Sequence, residues 1–214
     1  MNKFNYTDFT SHLLAWYDGR SLALPWRNCN DPYKIYLSEV MLQQTQVKTV
    51  LPYYKKWVNK YPTVQSVANA NQEQILKQWE GLGYYGRARN FHKSCQIISM
   101  QFDGDIPAFP EEFSKLPGVG PYISAAVMSI AFHHPLPAVD TNAIRVAARL
   151  KMVKFSSPAD SKVIHRYLAD NIAIKRSGDF NQAIMDLGRE ICKSDNPKCT
   201  ICPVSKFCKA LVNN

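Results

Sequence analysis

Apolar residues recur along this chain at helical spacing, and strict two-residue alternation is nowhere sustained. The pattern predicts helices over Phe9–Tyr17, Tyr33–Val47, Leu51–Tyr61, Val64–Asn69, Gln72–Trp79 and Tyr85–Phe102. It continues with one or two turns at Glu111–Lys115, then Ile123–Phe132, Asn142–Leu150, Ala159–Ile174 and Phe180–Cys192. A loop runs from Leu24 to Pro32. Pro62, Gly81, Gly83 and Pro117 fall between the periodic segments, where helix-breaking residues belong. The expected fold class is therefore all-α with short connections. Residues 25–134 are expected to form one helical bundle. Residues 1–24 and 135–214 are expected to pack together as a second lobe, with a cleft between the two as the natural place for a site.

Composition narrows the class. With 46% hydrophobic and 20% charged residues in 214, the chain reads as a soluble globular protein with enough material for a core. No apolar run reaches the roughly 20 residues that span a bilayer. The first eight residues lack the apolar stretch of a secretory signal. A cytoplasmic, membrane-free monomer is expected. Lys and Arg total 26 against 17 Asp and Glu, a net charge of +9. That excess favours a polyanionic partner, of which nucleic acid is the commonest.

Four cysteines lie near the end in the pattern Cys192-x6-Cys199-x2-Cys202-x5-Cys208. Four thiolates suit a cubane iron–sulfur cluster, which takes one per iron. Zinc also accepts four cysteines, but its sites usually combine two close pairs, and here only Cys199 and Cys202 are close. Disulfides or free thiols are the remaining alternative. Cys29 and Cys95 read as ordinary buried thiols.

Leu116-Pro117-Gly118-Val119-Gly120-Pro121-Tyr122 joins two predicted helices. Its glycines allow close backbone approach, and Pro121 suits the first turn of the next helix. Backbone N–H groups at such a helix start can hold a phosphate. A plain helical hairpin would carry the same residues; the basic charge favours the phosphate reading.

Two acids stand in contrasting contexts. Asp140 follows Pro137-Ala138-Val139 and opens a helix, where it serves as an N-cap. The macrodipole there also favours a carboxylate, which could face a cationic sugar. Glu39 lies among Tyr36, Leu37, Val40 and Met41. Burial there would favour its protonated form and suit a general acid, whereas an exposed position would make it an ordinary surface residue. An ionised and a protonated carboxyl together can break a glycosidic bond.

Taken in order, several stretches resemble the helix–hairpin–helix DNA glycosylases that carry an iron–sulfur cluster, and most of all the catalytic part of the MutY-type adenine DNA glycosylases. They are Leu24-Pro25-Trp26-Arg27, Leu37-Ser38-Glu39-Val40-Met41-Leu42-Gln43-Gln44-Thr45-Gln46-Val47 and Trp79-Glu80-Gly81-Leu82-Gly83-Tyr84-Tyr85-Gly86-Arg87 with Ala88-Arg89-Asn90. Leu116–Gly120, Val139-Asp140, Met185-Asp186-Leu187-Gly188 and the four cysteines complete the set.

The resemblance implies a six-helix bundle domain, a second domain around a [4Fe-4S] cluster, and double-stranded DNA with a mispaired or damaged base pair as partner. It implies that Glu39 protonates the base, that Asp140 stabilises the sugar cation, and that Tyr122 and Asn142 line the pocket. It assigns Gln43, Gln44, Tyr84, Tyr85, Arg87, Gly118, Val119, Gly120, Lys198 and Lys206 to DNA. Trp26 and Arg27 would shape the base pocket, and Cys192, Cys199, Cys202 and Cys208 would ligate the cluster. Tyr122 stands where endonuclease III relatives use a Schiff-base lysine, so hydrolysis without strand cleavage is expected.

Two departures bear on the substrate. Six residues follow Cys208, so the family's further domain, which recognises 8-oxoguanine, is expected to be absent, and Thr141 stands where the family has glycine beside the acid. The expected reaction is removal of adenine opposite guanine or 8-oxoguanine. A thymine or uracil mismatch glycosylase and a non-catalytic DNA-binding module are the alternatives.

Overall fold

The computed structural model describes residues 7–20, 24–27 and 29–212. The expectations for the first six residues, and those parts of the 24–32 loop and of the terminal lobe that fall at 21–23, 28 and 213–214, lie outside them. The described residues contain helices and no strand. In chain order the helices are α1 (Asp8–Asp18), α2 (Pro32–Leu42), α3 (Val47–Lys60), α4 (Val64–Ala68), α5 (Gln72–Trp79) and α6 (Tyr85–Gln101). They continue with α7 (Pro110–Phe113), α8 (Pro121–Phe132), α9 (Thr141–Lys151), α10 (Pro158–Asn171), α11 (Ser177–Glu190) and α12 (Lys209–Val212). Short 3₁₀ turns occupy Ile174–Arg176, Cys199–Ile201 and Ser205–Phe207. Two compact units result: Leu22–Phe132, and Met1–Ser21 together with His133–Asn214.

The first unit is built around α2. Asp31 caps its start by accepting from the Tyr33 and Lys34 amides, and Pro32 takes the first helical position. Tyr33, Ile35, Tyr36, Leu37, Val40 and Met41 are all buried, so the helix is covered on nearly every side. An aromatic core surrounds it. Trp57 and Trp79 meet edge to face at 5.5 Å, and Tyr36 meets Phe113 the same way at 5.0 Å. Two of the polar tips are joined in a chain. Trp57 Nε1 donates to Tyr33 Oη at 3.0 Å, and Tyr33 donates onward to the Tyr61 carbonyl at 2.6 Å.

One predicted helix divides. The Tyr33–Val47 segment ends at Leu42, and α3 starts at Val47 rather than Leu51. Gln44 adopts the left-handed conformation, with φ 56°. The carbonyls of Val40, Met41 and Gln43, which would otherwise bond the next helical turn, accept instead from the Arg87 guanidinium on α6. The other ends coincide or move by up to three residues, as frayed termini do.

The second unit packs α1, α9 and α11 around Leu13, Leu14, Val146, Ala147, Leu150, Phe180, Ile184 and Leu187. α9 and α11 approach so closely that a Cβ added at Gly188 would stand 2.6 Å from Asn142 Cβ and 3.1 Å from its Cα. Alanine is the better helix former by about 1 kcal/mol, yet Gly188→Ala is expected to lower stability by about 1–3 kcal/mol through overpacking. Gly86, in the first turn of α6, has nothing within 4 Å of its added Cβ, and Gly86→Ala should raise stability by about 0.4–1 kcal/mol. Denaturant unfolding of both variants reads the opposite signs; equal effects would remove the close-approach argument.

Candidate functional site

In the first unit, Glu39 lies on the third turn of α2 and is only 6% exposed. Tyr122, the second residue of α8, donates its phenolic O–H to Glu39 Oε2 at 2.8 Å. A carboxyl removed from water needs such a donor. The fold thus joins two of the candidate residues directly.

Tyr122 owes its place to the hairpin before it. Gly118 takes φ 78°, and an added Cβ would meet Asn90 Cβ of α6 at 2.8 Å. Ser94 of α6 donates to the Pro117 carbonyl at 2.9 Å, fastening the hairpin to the same helix. Val119 is buried, whereas a Cβ at Gly120 would find nothing within 4 Å. Gly120 thus has open space beside it just before α8.

Four further candidates lie on two turns. Gln43 is half-buried and Gln44 exposed after α2, while Tyr84 and Tyr85 are 62% and 39% exposed at the start of α6. Exposed aromatic rings suit stacking against bases. Two other candidates are placed differently. Trp26 is buried, with its ring 5.0 Å from Tyr54 in an edge-to-face contact. Arg87 directs its guanidinium inward, onto backbone carbonyls. Arg27 lies beside Trp26 with its backbone N–H bonded to the Leu24 carbonyl at 2.9 Å.

In the second unit, Asp140 caps α9. Its Oδ1 accepts from the Ala143 amide at 2.7 Å, and its Oδ2 accepts from Asn142 Nδ2, also at 2.7 Å. Asn142 Oδ1 in turn accepts from Arg145 Nη2 at 2.7 Å. Arg145 further donates to the Gly188 carbonyl at 2.7 Å and, through Nε, to the Cys192 carbonyl at 2.8 Å. A continuous run of hydrogen bonds thus links the Asp140 carboxylate to the backbone of the first clustered cysteine. Thr141 is exposed as the first residue of α9.

The four clustered cysteines are free thiols, and three of them, Cys192, Cys202 and Cys208, pack against the core of this unit. Burial pushes the Cys202 thiol up; the Val204 amide opposes this, and Cys192, Cys208 and Cys199 push in the same direction as burial. Among the described residues no group of three or more His, Cys, Asp or Glu side chains is drawn tightly enough for a single metal ion. A cubane puts each thiolate on its own iron, so its ligands stand farther apart than those of one ion. Arg149 Nη1 donates to Cys192 Sγ at 3.3 Å, and Arg149 also bonds the Lys193 and Ser194 carbonyls. Lys198 and Lys206 are exposed on this segment.

Arg145 and Arg149 were not singled out from the sequence. The signal available was their spacing: two arginines four residues apart share one face of α9, which Asp140 caps.

Residues 37–169 match the family described as HhH-GPD superfamily base excision DNA repair protein. An adenine DNA glycosylase of Buchnera aphidicola subsp. Baizongia pistaciae is 39% identical over 208 residues, covering 96% of this chain and 59% of the relative. One of Mus musculus is 40% identical over 216 residues, covering 95% of this chain and 42% of the relative. The chain therefore spans about half the length of these curated relatives. Among solved structures, a thermostable thymine-DNA glycosylase superposes with a TM-score of 0.87 at 28% identity, over 96% of both chains. With the family match extending over well more than half of its length, the chain belongs to the HhH-GPD superfamily of base excision DNA repair proteins.

Proposed function

We propose that this chain is a DNA glycosylase that hydrolyses the N-glycosidic bond of adenine mispaired with guanine or 8-oxoguanine. One observation carries the reading: Glu39 is buried in α2, held by Tyr122, four residues before the Gln43–Gln46 turn. The 39–40% identity to relatives named adenine DNA glycosylase supports the choice of base.

A base inside a duplex cannot reach a buried acid, so the target nucleotide must leave the stack. Gln43, Gln44, Tyr84 and Tyr85 supply the polar and aromatic groups that fill the gap. Gly118, Val119 and Gly120, with Lys198 and Lys206, hold phosphates. Glu39 then donates a proton to the departing adenine. The glycosidic electron pair goes to the base, leaving positive charge on the sugar. Asp140, held by Asn142 and the Ala143 amide, stabilises that cation until water adds to it. Tyr122 offers no amine for an imine, so the strand stays intact.

Cys192, Cys199, Cys202 and Cys208 would hold a [4Fe-4S] cluster, with Arg149 donating to the Cys192 sulfur. Such a cluster supplies a rigid cross-link for the segment carrying Lys198 and Lys206, and an electron-transfer group. Nothing in the hydrolysis requires it.

The second reading is a thymine or uracil mismatch glycosylase. The close superposition on a thymine-DNA glycosylase favours this alternative.

Single-turnover excision from duplexes holding A:8-oxoG, A:G, T:G and U:G tests the proposal. Adenine release from the first two is expected; release confined to T:G or U:G establishes the alternative, and no release from any duplex returns the chain to the binding-module reading. Asp140→Asn should slow excision by roughly 10²–10³-fold, the usual effect of removing one electrostatic stabiliser. Purified anaerobically, the chain should be brown and contain about four irons. A colourless protein with one zinc per chain would contradict the cluster.

A further inference from the structure

Arg87 occupies the first turn of α6, and its guanidinium makes an unusual set of contacts. Nη1 faces the carbonyls of Val40 at 3.0 Å, Met41 at 2.8 Å and Gln43 at 2.5 Å. Nη2 faces Thr45 Oγ1 at 3.1 Å and the carbonyls of Leu82 and Gly83 at 3.3 Å each. Its Cζ lies over two rings, 5.5 Å from the Trp79 centroid and 5.3 Å from that of Tyr84. Trp79 Nε1 donates to the same Gly83 carbonyl at 3.0 Å.

These acceptors belong to two turns far apart in sequence. One follows α2 and carries Gln44 at φ 56°; the other precedes α6 and carries Tyr84 at φ 49°. Both are left-handed non-glycine residues, a conformation that persists only where surroundings enforce it. The guanidinium caps the last carbonyls of α2 and holds both turns at once. Its Nη donors face neutral oxygens of the protein and its Nε is buried, which leaves the charge poorly placed for a phosphate.

We propose that Arg87 is a positioning residue that locks the Gln43–Gln46 and Leu82–Tyr84 turns into one rigid wedge, and that it makes no phosphate contact of its own. This rests on the reading that these turns enter the duplex. A lysine could not replace it, because a single ammonium with three donors cannot span six acceptors on two turns.

The test uses the full chain and a duplex with 2-aminopurine beside the mispair, whose fluorescence rises as the stack opens. Arg87→Gln, Arg87→Lys and the milder Thr45→Val are compared with the parent. For both Arg87 variants the fluorescence rise should be lost, and excision at saturating duplex should fall by roughly 10²-fold, as misplacement of a reacting group does. Thr45→Val, which removes one acceptor, should lose part of the rise while its thermal unfolding stays near the parent's. The slope of log affinity against log salt should not change for Arg87→Gln. A slope smaller by about 0.9, with Lys restoring both slope and excision, would make Arg87 a phosphate contact and overturn the proposal. A full fluorescence rise in Thr45→Val would also overturn it. If the reading beneath it is wrong, the parent chain itself gives no rise on a mispaired duplex, and both fall together.

Discussion

A carboxyl group in the middle of an apolar helix is the constraint on which the bundle unit turns. α2 is covered by aromatic and aliphatic side chains on nearly every side, so Glu39 has little access to water. Buried and unpartnered, it would cost several kcal/mol. Tyr122 reaches it from α8, and this ties the position of α8 to the state of the acid. The hairpin that starts α8 is fastened to α6 by Ser94 and by the contact of Gly118 with Asn90. Acid, phenol and hairpin therefore belong to one rigid assembly of α2, α6 and α8.

The terminal unit solves a different problem, that of holding a carboxylate ready without burying it. Asp140 is anchored at both oxygens, by the start of its own helix and by Asn142. Asn142 is itself held by Arg145, which bridges to α11 and to the Cys192 carbonyl. The missing side chain at Gly188 lets α9 and α11 come close enough for these bonds. Charge, close packing and the cysteine segment thus converge on one helix start.

Much of this was legible in the sequence, for physical reasons. Helical periodicity and breaker residues located most elements, and the helix-starting aspartate, the Gly-rich hairpin and the cysteine spacing carry local signals. The break after Leu42 was not legible from periodicity, because its cause lies on α6. The polar run Gln43–Gln46 offered a hint, since it has no apolar face to bury. The resemblance assigned Arg87 to DNA, and only the fold shows its guanidinium turned onto carbonyls. Trp26, expected to shape a pocket, is buried against Tyr54. Residues that act through neighbours brought close by tertiary structure, Arg145 and Arg149 among them, leave little trace in a single sequence.

The central claim is that Glu39 is the acid and that Tyr122 holds it for that purpose. The most direct measurement is the single-turnover rate of adenine release by Glu39→Gln at saturating duplex, with duplex affinity measured alongside. Glutamine keeps the shape and can still accept the Tyr122 hydrogen bond, but it has no proton to give. The account predicts a rate lower by roughly 10²–10⁴-fold with affinity unchanged. Excision at the parent rate would contradict it.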